Sequence, residues 1–127
     1  MMTTTELSKY RQRLRTLINS IGKLAYHSAY SDPLIQGTPG KVFRTCGQKN
    51  CKCASDRTQR HGPYLVIQVY QEKKQRQIAL KQEQKDLWIK AENYQKQMQT
   101  LAKLKETCEQ LTDTVRNILK RRLEKLP

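Results

Sequence analysis

Four side chains able to hold a soft metal fall within a short stretch of this chain: Cys46, Cys51, Cys53 and His61. Three thiolates and one imidazole are the donor set of a closed tetrahedral zinc site. With all four positions supplied by protein, such a zinc would be a structural staple and not a Lewis acid. Gly47 and Asn50 tolerate turn dihedrals, amides in a tight turn can donate to thiolates, and Lys49, Lys52, Arg57 and Arg60 offset the anionic charge. The same residues admit two other states: reduced thiols lining a loop without metal, or a Cys46–Cys53 disulfide formed on oxidation. A Cys46 nucleophile with His61 as its base is disfavoured, because the neighbouring thiols would compete for metal and oxidant. Cys108 falls on an apolar helical stripe and is expected to be a core thiol, and His27 reads as a helix-end or surface histidine.

The second chemical feature is charge. The 127 residues include 25 Lys and Arg against 11 Asp and Glu, a formal +14, which suits a partner carrying phosphates. Residues 33–80 carry nine basic and two acidic groups, the densest excess in the chain. Arg44, Lys49, Lys52, Arg57 and Arg60 flank the cysteines, while Lys73, Lys74 and Arg76 mark a turn further on. Together they are expected to form a phosphate-tracking surface. Tyr64 and Tyr70, on one face at even spacing, read either as a stacking platform beside Arg44 or as core packing under a helix. Arg116, Lys120, Arg121, Arg122 and Lys125 form a second basic cluster, which also complements a helix dipole. No paired carboxylates with a cleft, no glycine-rich phosphate loop, no helix-turn-helix spacing and no Cys2His2 pattern accompany these residues, so an enzyme is not expected and recognition is expected to be of backbone and shape.

Three segments must position these groups. Residues 1–32 hold an amphipathic helix from Thr3 to about Ser28, with Leu7, Tyr10, Leu14, Leu17, Ile21 and Leu24 as its stripe and Thr3 with Glu6 as a capping box. Residues 33–81 form a loop to Gly40, then strands at Lys41–Thr45, Tyr64–Tyr70 and Gln77–Leu80, the last two joined by a charged turn at Glu72-Lys73-Lys74. Residues 82–127 lack Gly and, until Pro127, Pro, and predict a helix from about Glu83 to Lys125. It would be on the order of 60 Å long, with apolar steps through Leu101, Leu104, Cys108, Leu111, Val115 and Ile118. The step at Leu101, Leu104 and Cys108 departs from a strict heptad and favours an antiparallel pair or small bundle over one parallel coiled coil. With 36% apolar and 6% aromatic residues the core must be thin, so a helical seam, a metal or a partner should supplement it.

Cys46-Gly47-x-x-x-Cys51-x-Cys53-Ala54, leading to His61-Gly62-Pro63-Tyr64 and a strand, resembles an uncharacterised bacterial family of small proteins, domains of unknown function often encoded near mobile elements. The resemblance covers about Gly40 to Leu80 and implies a Cys/His knuckle on a small sheet between helices; Ser55–Arg60 reads as an insertion against it. The expectation is therefore a single α+β domain in which the N-terminal helix, a three-stranded antiparallel sheet with a Cys3His zinc knuckle, and a long C-terminal helix pairing with the first follow in order. Its expected role is a non-catalytic, cytoplasmic nucleic-acid-binding accessory protein, contacting RNA or DNA within an RNA-guided or transposition-related ribonucleoprotein. The alternative is a protein–protein adaptor or dimerising subunit that uses the long helix. No stretch is long and apolar enough to span a bilayer, so no membrane partner is expected.

Overall fold

The computed structural model describes residues 3–127. Its elements are α1 (Thr4–Tyr26), β1 (Thr38–Arg44), β2 (His61–Gln71), β3 (Lys74–Ala79) and α2 (Lys85–Arg122). This is the expected α+β architecture of helix, three-stranded antiparallel sheet and long helix. The residues group into two compact units, one comprising Asp32–Lys96 and the other 3–31 with 97–127, so the 38 residues of α2 are shared between them. Among the described residues no helix is long and apolar enough to cross a membrane.

In the unit Asp32–Lys96 the strand order is β1-β2-β3, with both pairings antiparallel. β1 starts at Thr38, three residues earlier than the sequence suggests, and so takes in Pro39 and Gly40. It lies at the edge of the sheet, where a proline wastes no ladder donor. Val66 and Ile67 of the central strand are 1% and 4% exposed. Neighbouring strand residues point to opposite faces, so β2 is covered on both sides at this point. Trp88, Ala91 and Gln95 follow one another at helical spacing on α2: Trp88 Nε1 donates to Gly40 O at 3.1 Å, Gln95 Nε2 donates to Gly37 O at 2.9 Å, and Ala91 is fully buried. The helix thereby fastens the edge strand and the loop before it, the support a three-stranded sheet needs.

The turn joining β2 to β3 is shorter than the three-residue span read from sequence. Only Glu72 and Lys73 lie outside the ladder, both with positive φ (51° and 64°), while Lys74 already pairs with Gln71. A two-residue turn with both residues left-handed matches the strand twist and favours Asn-Gly, because side chains larger than these strain the left-handed conformation. Replacing Glu72-Lys73 by Asn-Gly is therefore expected to raise stability by roughly 1 kcal/mol, read as a higher melting midpoint. An unchanged or lower midpoint contradicts the turn assignment.

In the other unit α1 runs antiparallel to the second half of α2. Glu6 pairs with Arg121 at 3.2 Å, Arg13 Nη2 donates to Gln110 Oε1 at 3.2 Å, and Gln97 Nε2 donates to His27 O at 3.3 Å, so partners descend along α2 as they ascend along α1. The Thr3–Glu6 capping box is formed in both directions. Leu7, Tyr10, Leu14, Leu17, Ile21 and Leu24 all leave the surface at least in part, with Leu17 at 3% exposure.

The seam of α2 keeps Leu104, Leu111 and Ile118 of the stripe read in sequence and replaces the other three residues. Leu101, Cys108 and Val115 are exposed, and the inward set is Thr100, Leu104, Thr107, Leu111, Thr114 and Ile118. These steps alternate four and three and repeat every seven residues, as the stripe of α1 does. Threonine is tolerated there because Thr107 Oγ1 donates to Lys103 O and Thr114 Oγ1 to Gln110 O, each at 2.8 Å. The hydroxyl is thus satisfied within its own helix and the methyl is left for packing.

Candidate metal centre and basic surface

The loop between β1 and β2 is built from tight turns. Gly47 sits at φ 79°, a left-handed value glycine adopts without strain, and Cys51 N donates to Gln48 O at 3.3 Å to close the first turn. Lys52–Ala54 forms a single 3-10 turn, with Ala54 N donating to Cys51 O and Asp56 N to Lys52 O. A second 3-10 turn, Arg57–Gln59, is capped by Asp56, whose carboxylate accepts from Thr58 N at 2.9 Å and from Thr58 Oγ1 at 2.7 Å. Those two bonds, the hydroxyl foremost, hold the Asp56 carboxyl below the usual carboxylate range. Ser55–Arg60, the stretch that reads as an insertion, is therefore a self-capped turn that returns the chain to His61 at the start of β2.

Gly62, the next residue, has φ 141°, and a Cβ there would stand 2.7 Å from Val42 O. The ladder shifts register at this place, Val42 pairing with Tyr64 and Arg44 with His61, and Pro63 sits in that bulge after a cis bond to Gly62. A proline in a central strand is accommodated because the bulge removes the need for its amide.

These turns bring Cys46, Cys51, Cys53 and His61 together, their donor atoms all within 4.8 Å of one another. Cys46 Sγ lies 3.5 Å from Cys53 Sγ, and Cys51 Sγ lies 3.3 Å from His61 Nε2. A tetrahedron with metal–sulfur bonds of about 2.3 Å and metal–nitrogen bonds of about 2.0 Å has edges of roughly 3.5–3.8 Å, so the group could hold a metal ion with small adjustments. All four cysteines are free. Cys53 is 2% exposed, and Cys46 N donates to its sulfur at 3.4 Å. That amide favours the thiolate, but burial and the adjoining Cys51 and Cys46 sulfurs outweigh it and push the Cys53 thiol up. The Cys51 thiol is pulled down, first by the backbone amide of Cys53 and then by the Cys53 and Cys46 side chains. Cys108 lies on the exposed side of α2 in the other unit and takes no part in the cluster.

The expected basic surface divides. Arg44, Lys49, Lys52, Arg57 and Arg60 are exposed on and beside the knuckle. Lys73, Lys74 and Arg76 are exposed at the opposite end of β2, since His61 pairs with Arg44 at one end of this 11-residue strand and Gln71 with Lys74 at the other. At about 3.3 Å per residue the two groups stand roughly 30 Å apart and form two patches, not one track. Arg121 is occupied within its own unit, paired with Glu6 and stacked 5.4 Å from the centre of the Tyr10 ring. Arg122, at the end of α2, is exposed. Tyr64 and Tyr70 are 48% and 71% exposed, so neither is the core residue that one reading of the sequence assigned. Lys41 and Trp88 gained no role from sequence spacing, yet Lys41 Nζ lies 5.6 Å from the Trp88 ring centre. A lone tryptophan beginning a helix was the only trace of that contact in the sequence.

Fold and site together define a small α+β protein with a Cys3His knuckle between two strands. A family model, Domain of unknown function (DUF6788), matches residues 7–89, and the chain belongs to that family. The match takes in α1, the knuckle, the sheet and the start of α2, well beyond the central third that carries the sequence signature. No curated protein and no solved structure matches the chain.

Proposed function

We propose that this is a non-catalytic nucleic-acid-binding accessory protein whose knuckle is stapled by zinc and whose basic loop contacts the phosphate backbone of RNA or DNA. The observation that carries the reading is an uncompensated charge: among the described residues Arg44, Lys49, Lys52, Arg57 and Arg60 form no ion pair. The one carboxylate in their loop, Asp56, is spent on capping its own turn. Cations held on a rigid turn and facing water bind phosphates at low ordering cost. Zinc is the metal proposed because three thiolates with one imidazole select it over hard cations. Clustered thiols that serve as metal ligands suit a reducing, cytoplasmic setting. A place in an RNA-guided or transposition-related ribonucleoprotein agrees with the mobile-element setting that the signature's resemblance implies.

Changing Lys49, Lys52 and Arg60 together to alanine is expected to weaken binding to unrelated sequences about equally and to make the dependence of log affinity on log salt shallower by about two to three units. Lys73→Ala with Lys74→Ala is the control, since those side chains lie at the far end of the sheet. Equal losses in both variants, or no binding at about 0.1 M salt, contradict the proposal.

One observation favours an adaptor role instead. Leu101, Cys108, Val115 and Leu119 recur at helical spacing on α2 and are exposed, Leu119 at 52%. Lys105 and Arg122 fall on the same spacing, so a second +14 copy is a poor occupant and an acidic amphipathic helix is the one this reading requires. Binding of a designed acidic helical peptide, lost in Leu101→Asp while nucleic-acid affinity is retained, would favour it.

A further inference from the structure

The helical unit, residues 3–31 with 97–127, has two unlike sides. The stripe of α1 and the inward set of α2 form its seam. A residue just after a seam position and a residue just before one are turned about 100° around the helix in opposite senses. Because α1 and α2 run antiparallel, the residues that follow seam positions on both helices come to one side of the pair, and those that precede them come to the other. Arg13 and Gln110 each precede a seam leucine, and they are bonded to one another at 3.2 Å, as this geometry requires. Their side is polar throughout: from Glu6 to Lys23 on α1, and from Gln99 to Asn117 on α2, no apolar residue precedes a seam position.

The opposite side carries Ile18 and Ala25 on α1 and Leu101, Cys108, Val115 and Leu119 on α2, every one of them exposed, Ile18 at 56%. Along it no carboxylate follows a seam position, whereas Arg11, Arg15 and Lys105 do. Among the described residues these three cations form no ion pair. Gly22 lies along the α1 wall, and a Cβ there would meet nothing within 4 Å. Packing within the chain thus gives no reason for a residue that weakens a helix interior, whereas a second backbone laid against α1 does. An apolar strip open to water along two paired helices is the unfilled third side of a small bundle.

We infer that this groove seats one amphipathic helix of a partner protein, its apolar stripe laid over Ile18, Leu101, Cys108 and Val115 and its flanking residues acidic, facing Arg11, Arg15 and Lys105. The stretch from Arg11 to Ala25 on α1 lies against that from Leu101 to Val115 on α2, which makes the groove about 20 Å long and matches roughly four turns of helix. A second copy would set the same cations against themselves, so charge selects an acidic partner. The inference rests on the adaptor reading and deepens it by adding α1 as the second wall. It makes no demand on the knuckle.

The probe is a designed helical peptide of about eighteen residues with leucines at i, i+3, i+4 and i+7 spacing flanked by glutamates, beside a twin with lysines in place of the glutamates. Cys108 lies in the middle of the groove. In the full chain the acidic peptide is expected to slow alkylation of Cys108 by iodoacetamide about tenfold, read by mass spectrometry, and the lysine twin to leave it unchanged. Ile18→Asp on α1 and Leu101→Asp on α2 should each weaken the acidic peptide about tenfold in fluorescence anisotropy, while Gln110→Ala, on the polar side, changes its affinity by less than about twofold. Circular dichroism confirms that the variants fold. Loss in Leu101→Asp with Ile18→Asp unaffected overturns the two-helix groove and leaves the adaptor reading on α2 alone. Protection of Cys108 that arises without peptide and grows with protein concentration puts a second copy in the groove and overturns the inference, as does protection by an oligonucleotide. If the acidic peptide does not bind, groove and adaptor reading fall together, and the nucleic-acid reading is left to its own salt titration.

Discussion

Stripping the proposed zinc is expected to have the largest effect of any single treatment on the knuckle. The zinc-loaded protein should contain about one metal per chain, and exhaustive chelation should abolish ordered structure from Cys46 to His61. Binding free energy in such sites is folding free energy, about 10–16 kcal/mol for zinc-finger peptides near neutral pH. Nothing else in the loop could replace a contribution of that size. Its hydrogen bonds close single turns, and Cys53 is its one buried apolar-type side chain. Cys53→Ser should lose the metal outright, whereas Cys108→Ser, altering an exposed thiol on α2, should retain it. Elemental analysis measures the stoichiometry, and hydrogen exchange measures the consequence, with protection lost in the knuckle and kept in the α1–α2 pair. A chelated, metal-free protein with the same exchange pattern and the same melting curve as the untreated one would defeat the proposal and leave the reduced-thiol reading in its place.

The knuckle was legible because its chemistry is local. Cys46, Cys51, Cys53 and His61 are close in sequence, and turn-forming residues between them leave few ways to arrange the chain. The same holds for the N-terminus of α1, where Thr3 and Glu6 specify a capping box by spacing alone. Strand ends were less legible: Pro39 and Gly40 belong to β1, and His61 to Pro63 belong to β2, because an edge position and a register shift accommodate residues that usually end strands. Those circumstances arise only once the partner strand is in place. Surface geometry was least legible. Lys73 and Lys49 belong to one basic segment of sequence, yet an 11-residue strand holds them apart. Lys41 and Trp88 lie far apart along the chain and meet only after α2 packs on the sheet.

The seam of α2 was misread for a different reason, and that misreading sets the sharpest mutational contrast in the helical unit. Counting apolar residues gives a stripe through Leu101, Leu104, Cys108, Leu111, Val115 and Ile118; Leu104, Leu111 and Ile118 do turn inward, but threonines at 100, 107 and 114 take the inward places instead of Leu101, Cys108 and Val115, and Thr107 and Thr114 send their hydroxyls back into the helix. Leu17 is 3% exposed and Leu101 42%, although both are leucines on amphipathic helices. Leu17→Asp should therefore place an unpaired carboxylate in the seam and remove a packed side chain, a loss of about 3–5 kcal/mol against a total stability of about 5–15 kcal/mol for a domain of ordinary size. Leu101→Asp should change stability by no more than about 0.5 kcal/mol, the usual range for surface positions. Thermal melting followed by circular dichroism separates these outcomes, since α1 and half of α2 lose their partner in the first variant and keep it in the second. If Leu101→Asp melts as early as Leu17→Asp, the seam runs where a count of apolar residues puts it and the buried threonines are misassigned. If Leu17→Asp leaves the melting curve unchanged, α1 does not depend on α2 for its structure.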